Sequence, residues 1–444
     1  MNSPTQDFTA KNLNWMRKRR KQFGLTPDNN DHLETNDEWS KYLISLELRI
    51  AQNQMNFIKL STFLTKKSKK KRTTVRTKSL DEALTLRKIN DNLRRAYHIK
   101  SPSRDNIVKL VIQALRDPSP KTVYRLDIRS CFESIHRTSL MNKIARDGHV
   151  SFQTLQLLDN FFSHAYSIKP ELKKSGLPRG VIITSTLAEI YLNQLDLELR
   201  NIPGVYLAVR YVDDIVIFAT CGEVTLKREV QSCLSKYRLK TNESKSNIFS
   251  IKCTCSDICG HPEKCPCERS CKCAKSDSSL VSPAPEYLGY KILIGKRNDE
   301  KENKVTLLLS DSKISKLKQK IFLSLQDFKS NKNINLLKNR LSYLTGNQLL
   351  PSDPSRRGLY TGLAYTHSLY SHDDSQEATS SNSLSALDTF FSNLARPALR
   401  RLGISKEETN AITKYSFVSG FIKRRRTKFS ARDVIEITRC WNHV

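Results

Sequence analysis

Asp213 and Asp214 stand side by side between two apolar runs in VYLAVRYVDDIVIFAT (205–220). Like charges between buried strands are costly unless a cation compensates. A divalent ion held by carboxylates from neighbouring strands would do so. Two such ions ~3.5–4 Å apart serve in-line phosphoryl transfer, one activating the attacking oxygen and the other steadying the leaving group. Mg2+ suits this role, with Mn2+ as the alternative, because it takes oxygen ligands and completes its shell with substrate phosphates. Asp127, closing the strand-like YRLDI (124–128), reads on its own as a helix cap.

Seven of the eleven cysteines lie between Cys253 and Cys273; Cys131, Cys221, Cys233 and Cys440 are isolated. Cys253, Cys255, Cys259 and His261 recur twelve positions later as Cys265, Cys267, Cys271 and Cys273. Each half reads C-x-C-x3-C-x-[H/C] and supplies four soft ligands. Two tetrahedral Zn2+ ions are the economical assignment, one held by three cysteines and a histidine and the other by cysteines alone. Interleaved halves or bridging thiolates satisfy the same spacing. The segment has few apolar residues, so metal would supply its folding energy. A structural or docking role fits better than catalysis.

The elements that must position these groups show in the patterning. Residues 205–220 read as a hairpin, TLAEIYLNQLDLEL (186–199) has its apolar residues at helical spacing, and EYLGYKILIG (286–295) is strand-like. An apolar stripe of Ile314, Leu317, Ile321, Leu325 and Phe328 marks a helix, with Lys313, Lys316, Lys318 and Lys320 largely outside it. An amphipathic stretch over 39–57 predicts another helix. KKSKKKRTTVRTK (66–78) has no apolar period and reads either as a solvated arm or as one that tracks phosphates. Helices alternating with short strands make the class α+β.

The 444 residues carry 75 Lys+Arg against 44 Asp+Glu, a net charge of +31. With the basic residues in runs, that balance calls for a polyanionic partner, nucleic acid first and an anionic membrane surface second. At 38% hydrophobic, the chain can bury a core, which excludes wholesale disorder, and no apolar stretch is long enough for a membrane span. The basic N-terminus lacks an apolar region behind it, so the expected compartment is cytoplasmic rather than one reached by export.

Taken in order, five segments resemble the palm motifs of reverse transcriptases. YRLDIRSCFESI resembles the first acidic motif, with Asp127 as metal ligand and Phe132 five residues on. SGLPRGVIITSTLAEIYL resembles the Gly-Leu-Pro-x-Gly loop and its helix. YVDD (211–214) resembles the acidic turn, LKTNESKS the next motif with Asn242 and Lys245, and YLGY (287–290) the primer-grip hairpin. The resemblance implies a right-hand polymerase fold of fingers, palm and thumb, with an antiparallel palm sheet, a helical thumb and an inserted Cys-rich metal-binding module.

It further implies an RNA-directed DNA polymerase that uses two Mg2+ ions to add deoxynucleotides to a 3′-hydroxyl. Asp127 and Asp213 would be the main ligands, with Asp214 beside them and Lys245 helping to neutralise or protonate the leaving pyrophosphate. Phe132 would exclude a 2′-hydroxyl. Gly176 and Gly180, with Pro178, Arg179 and Tyr211, would face template and nucleotide, and Tyr287, Gly289 and Tyr290 the primer end. Lys100 and Arg104, in a stretch similar to retron-like and defence-associated enzymes, would touch phosphates. Two positions depart: Arg179 stands where Gln is usual and Thr184 where Ser is common.

The implied plan is an N-terminal extension with its basic arm (1–78), fingers and palm (79–250), the zinc-binding insertion (251–280), the end of the palm (281–304), the thumb (305–370), a linker (371–383) and a basic helical C-terminal region (384–444). No ribonuclease H, integrase or endonuclease segment is recognisable, and YLTGN (343–347) looks most like the antiviral defence branch. The expected partners are an RNA template or noncoding RNA, the DNA product, deoxynucleotides and a second polymerase or effector, with no membrane. Untemplated or protein-primed synthesis and a non-catalytic RNA scaffold are the competing readings.

Overall fold

The computed structural model describes residues 5–19, 35–67, 70–100, 103–117, 119–168, 176–251, 282–297, 303–349, 360–370 and 383–441. The cysteine repeat and nearly all of the expected linker lie outside the described residues. The chain divides into two compact units, Met1–Ser103 with Pro120–Ile251, and Arg104–Ser119 with Lys252–Val444.

The first unit holds a hairpin, β1 (Leu60–Lys67) and β2 (Lys70–Thr77), and a four-stranded sheet of β3 (Lys121–Asp127), β4 (Val205–Tyr211), β5 (Asp214–Ala219) and β6 (Asn247–Ile251). The sheet order is β4-β5-β3-β6 and every pairing is antiparallel. The two central strands are nearly continuous in apolar burial, Ile215 through Ala219 on β5 and Val123, Tyr124 and Leu126 on β3. Such runs belong to strands covered on both faces. Helix Ile183–Arg200 packs on β4 and helix Glu223–Lys236 on β3 and β6. Leu187, Ile190, Tyr191, Leu195 and Leu199 are buried as their helical spacing predicts.

Two expectations change in this unit. The basic run over 66–78 lies largely on β1 and β2, whose register runs from Leu60–Thr77 to Lys67–Lys70, so it is built into a hairpin rather than left as an arm. The helix expected over 39–57 spans Asn36–Ala51. A capping box of Thr35 and Glu38 opens it, and the chain turns at Asn53 with φ 56°. Phe57 is buried beyond that turn, edge-to-face on Phe161 at 5.4 Å.

The second unit holds an antiparallel sheet, β7 (Ser282–Tyr287), β8 (Tyr290–Arg297) and β9 (Asn303–Leu309), followed by helices Asp311–Asn331 and Ile334–Thr345. Leu317, Ile321, Leu325 and Phe328 form the buried stripe of the longer helix. A small sheet of β10 (Asn347–Leu349), β11 (Tyr360–Gly362) and β12 (Arg426–Thr427) ties the thumb-like helices to the C-terminal region. Helix Arg104–Arg116 belongs to this unit, not with the residues around it in sequence. It buries Ile107, Val108, Val111 and Leu115, and the Leu115 carbonyl accepts from Asn303 Nδ2 at 3.1 Å. No described helix is long and apolar enough to cross a membrane.

Candidate active site

The pairing of β3 with β5 sets Asp127 opposite Asp214 at one end of the central strands, and β4 reaches β5 through the turn Val212–Asp213. A two-residue hairpin connection needs a positive φ, and here Val212 supplies it at 61°. A β-branched residue pays a steric cost there, so the surroundings must hold the turn. Arg210 does much of this: its guanidinium donates to the Val212 carbonyl at 3.1 Å while paired with Glu189 at 2.8 Å and Asp196 at 2.7 Å, both on the helix packed against β4. Burial pulls the Arg210 pKa down, but hydrogen bonds to Asp196 and Glu189 outweigh it and leave the cation firmly protonated.

The carboxylates have different company. Asp127 is nearly buried and accepts from Asn242 Nδ2 at 3.0 Å and Lys245 Nζ at 3.3 Å. Its backbone carbonyl accepts the Asn242 amide at 2.8 Å, so the segment carrying Lys245 is stitched to the end of β3. Asp214 is gripped by Arg125, Nε to Oδ1 at 3.1 Å and Nη2 to Oδ2 at 3.2 Å. Burial still raises its pKa, and the charges of Asp127 and Asp213 add to the rise against Arg125. Three carboxylates therefore share one field, with Asp214 already committed to an arginine.

Among the described residues, no three His, Cys, Asp or Glu side chains are grouped to hold a metal ion. Mg2+ in phosphoryl-transfer sites is usually held by one or two carboxylates together with substrate phosphates. The oxygen donors of Asp127 and Asp213 fit that pattern, and Asp214 is the weaker candidate because a guanidinium grips both of its oxygens, whereas Asp127 accepts from an amide and from the exposed Lys245.

Around this strand end the loop residues pack on one another. Leu177 N donates to the Phe132 carbonyl at 2.7 Å and Gly176 N to the Ile135 carbonyl at 2.9 Å. Gly176 has φ 103°, and a Cβ there would lie 2.7 Å from the Glu133 carbonyl oxygen; Gly180 has φ 98°, with a Cβ 2.5 Å from the Val75 oxygen. Both glycines are thus required by the protein's own backbone. Arg179 pairs with Glu133 at 2.5 and 2.9 Å and lies 4.8 Å from the Phe132 ring centroid. The Glu133 hydrogen bond raises its pKa, and Asp213 lies close enough to contribute. Thr184, buried, donates to the Pro178 carbonyl. A cleft of about 540 Å3 opens beside Glu133, lined also by Arg129, Ser130, Ser134, His136, Arg238 and Lys240.

The sequence profile of the family described as reverse transcriptase (RNA-dependent DNA polymerase) matches residues 64–292, just over half of the chain. The chain belongs to the reverse transcriptase family. It is a nucleotidyltransferase, an RNA-directed DNA polymerase, and enzymes of this family generally use divalent metal ions such as Mg2+, bind nucleic acid and take deoxynucleotides. No curated protein matches the chain.

The other residues singled out in this reverse transcriptase's sequence are more scattered. Tyr211 is half-buried at the end of β4, opposite Asp214, and Lys100 is exposed on the first unit. In the second unit Tyr287 and Tyr290 flank the tight Leu288–Gly289 turn and are 1% and 0% exposed, so both rings belong to the core. Arg104 donates to the carbonyls of Leu288 and Thr366 and lies 5.4 Å from the Tyr290 ring. It thus braces the hairpin turn. The Zn2+ ligand candidates lie outside the described residues. Arg125, Glu133 and Arg210 were not singled out. The only signal for Arg210 was a charge inside an apolar strand, one residue before the acidic turn.

Proposed function

We propose that Asp127 and Asp213 are the catalytic metal ligands of this polymerase, with Asp214 a supporting charge. The observation that carries this is the β3–β5 register, which aligns Asp127 with Asp214 next to the turn bearing Asp213. A pair of Mg2+ ions bound there would supply charge neutralisation at the attacking 3′-oxygen and the leaving pyrophosphate. Lys245, 3.3 Å from Asp127, holds a proton at Nζ beside that charge and is suited to the developing negative charge of the leaving group. Phe132, half-buried and following Asp127 by five residues, would exclude a 2′-hydroxyl.

The test is primer extension on an RNA template with labelled deoxynucleotides. Asp127→Asn and Asp213→Asn should abolish incorporation while preserving the circular dichroism spectrum; undiminished activity would overturn the assignment. For the wider role we propose antiviral defence in the bacterial cytoplasm with a noncoding RNA, resting on the similarity of residues 99–115 and 343–347 to defence-associated enzymes, and a Zn2+ module formed by the cysteine repeat. Sequencing the RNA and DNA that co-purify with the full chain tests the first. A tyrosine-linked product surviving protease digestion would instead indicate protein priming. Metal analysis of the purified protein tests the second.

A further inference from the structure

The Arg179–Glu133 pair lies against Phe132, and nothing in the assigned roles uses it. The Arg179 guanidinium meets both Glu133 oxygens, at 2.5 and 2.9 Å, and its centre lies 4.8 Å from the Phe132 ring centroid. The backbone around it is fixed on three sides. Val75 N donates to the Arg179 carbonyl at 2.6 Å, Leu177 N to the Phe132 carbonyl, and Gly176 packs on the Glu133 backbone. A planar guanidinium can serve two surfaces together, its edge satisfying a carboxylate and its face covering an aromatic ring. An ammonium has no planar face to lay on the ring, and an amide has neither the charge nor the bidentate fork. An unbraced phenyl ring turns about its side-chain torsions, and a wall that yields by a fraction of an ångström no longer excludes a single hydroxyl.

We propose that Arg179 and Glu133 form a specificity clamp on Phe132: the guanidinium, anchored by the carboxylate, holds the ring in the orientation that rejects the ribose 2′-hydroxyl. The pair, together with Phe132, sets the preference for deoxynucleotides. This rests on Phe132 facing the sugar. It makes Arg179 and Glu133 positioning residues that act through the ring, and it accounts for arginine standing where the family usually has glutamine, since the Glu133 carboxylate demands a bidentate cation.

The experiment measures kcat and KM for deoxy- and ribonucleotides separately, using the full chain on a primed RNA template. The variants are Phe132→Ala, Arg179→Lys, Glu133→Gln and the Arg179→Lys/Glu133→Gln double variant. Phe132→Ala tests the underlying role. Arg179→Lys and Glu133→Gln should each lower the deoxy-over-ribo ratio of kcat/KM about tenfold, the scale set by one misfitted group in a pocket. The change should come from a rise in ribonucleotide kcat/KM through a lower KM, which mere loss of folded enzyme cannot produce because it depresses both nucleotides together. The double variant should be no less selective than either single one, as expected for residues acting as one unit. If Phe132→Ala relaxes selectivity while Arg179→Lys and Glu133→Gln do not, the clamp is overturned and the Phe132 role stands. If Phe132→Ala leaves selectivity unchanged, both fall. Additive losses in the double variant would also overturn the clamp. Glu133→Gln, nearly isosteric, serves if an Arg179 variant fails to fold, as judged by thermal melting.

Discussion

The two units gather buried charge of opposite sign at their tightest turns. Around the β4–β5 turn, Asp127, Asp213 and Asp214 crowd negative charge together, and burial with their mutual repulsion raises the Asp214 pKa against Arg125. Around the β7–β8 turn the surplus is positive. Burial, then Arg104 and Lys313, push His367 down to about 3, and burial with Lys320, Arg104 and Lys316 lowers Lys313. Nearby acids are taken up elsewhere, Asp105 by the Ser368 hydroxyl and Asp311 by Lys291. On the proposed assignment the first cluster resolves its surplus by binding a cation. In the second, neutral His367 lets Arg104 spend its donors on two backbone carbonyls.

Removing the carboxylates is the sharpest way to break this contrast. Asp127→Asn or Asp213→Asn should lower kcat by about three orders of magnitude or more, since the charge that offsets the transition state is lost, and Asp214→Asn by clearly less. Single-turnover primer extension decides it; equal losses at all three positions would erase the distinction drawn from Arg125. Next in size is Arg210→Met, which strands Glu189 and Asp196 and releases the Val212 carbonyl. A stability loss of about 3 kcal/mol or more in urea unfolding is expected.

The pH responses of the two units should oppose each other. His367 has its folded-state pKa lowered from 6.5 to about 3, so between those values the unfolded chain takes up a proton that the folded chain refuses, and stability falls as pH falls. Glu82, buried in the first unit with Oε1 accepting from Lys59 N at 2.7 Å, is raised by burial from 4.5 to about 7. There the folded chain keeps a proton that the unfolded chain releases, so stability falls as pH rises from about 4.5 to 7. His367→Gln should flatten the acid-side slope of unfolding free energy and Glu82→Gln the slope toward neutrality, measured against the parent chain from pH 4 to 8. The smallest effect is Arg104→Lys, which keeps the charge but loses the fork. It should cost about 1–2 kcal/mol and leave the His367 titration, followed by NMR, still far below its ordinary value.

Much of the site was legible because its signals are local. YVDD between apolar runs, YRLDI and the helix over 186–199 each carry their period within a dozen residues, and β4, β5, β3 and helix Ile183–Arg200 follow them. Charged side chains were harder to place. Arg179 was expected to face template and nucleotide and Arg104 to touch phosphates, and each is also held by a partner invisible in the local pattern: Glu133 for one, the carbonyls of Leu288 and Thr366 for the other. Lys318 and Lys320, expected to line the thumb, lie 5.2 and 5.1 Å from the rings of Phe390 and Trp441. In the basic run over 423–426, Arg425 is half-buried 5.4 Å from the Tyr415 ring, and exposed Arg426 lies 4.7 Å from the Tyr360 ring.

The amino-acid sequence by itself determined the family and its chemistry, because five motifs in a fixed order are recognisable without knowledge of distant contacts, although Asp127 alone would have read as a helix cap. Only the tertiary structure decided which of those charges are free to act. Ion pairing and burial depend on side chains brought together from far apart in the chain: Arg125 onto Asp214, Lys245 onto Asp127, and Glu189 with Asp196 onto Arg210 beneath the strained turn.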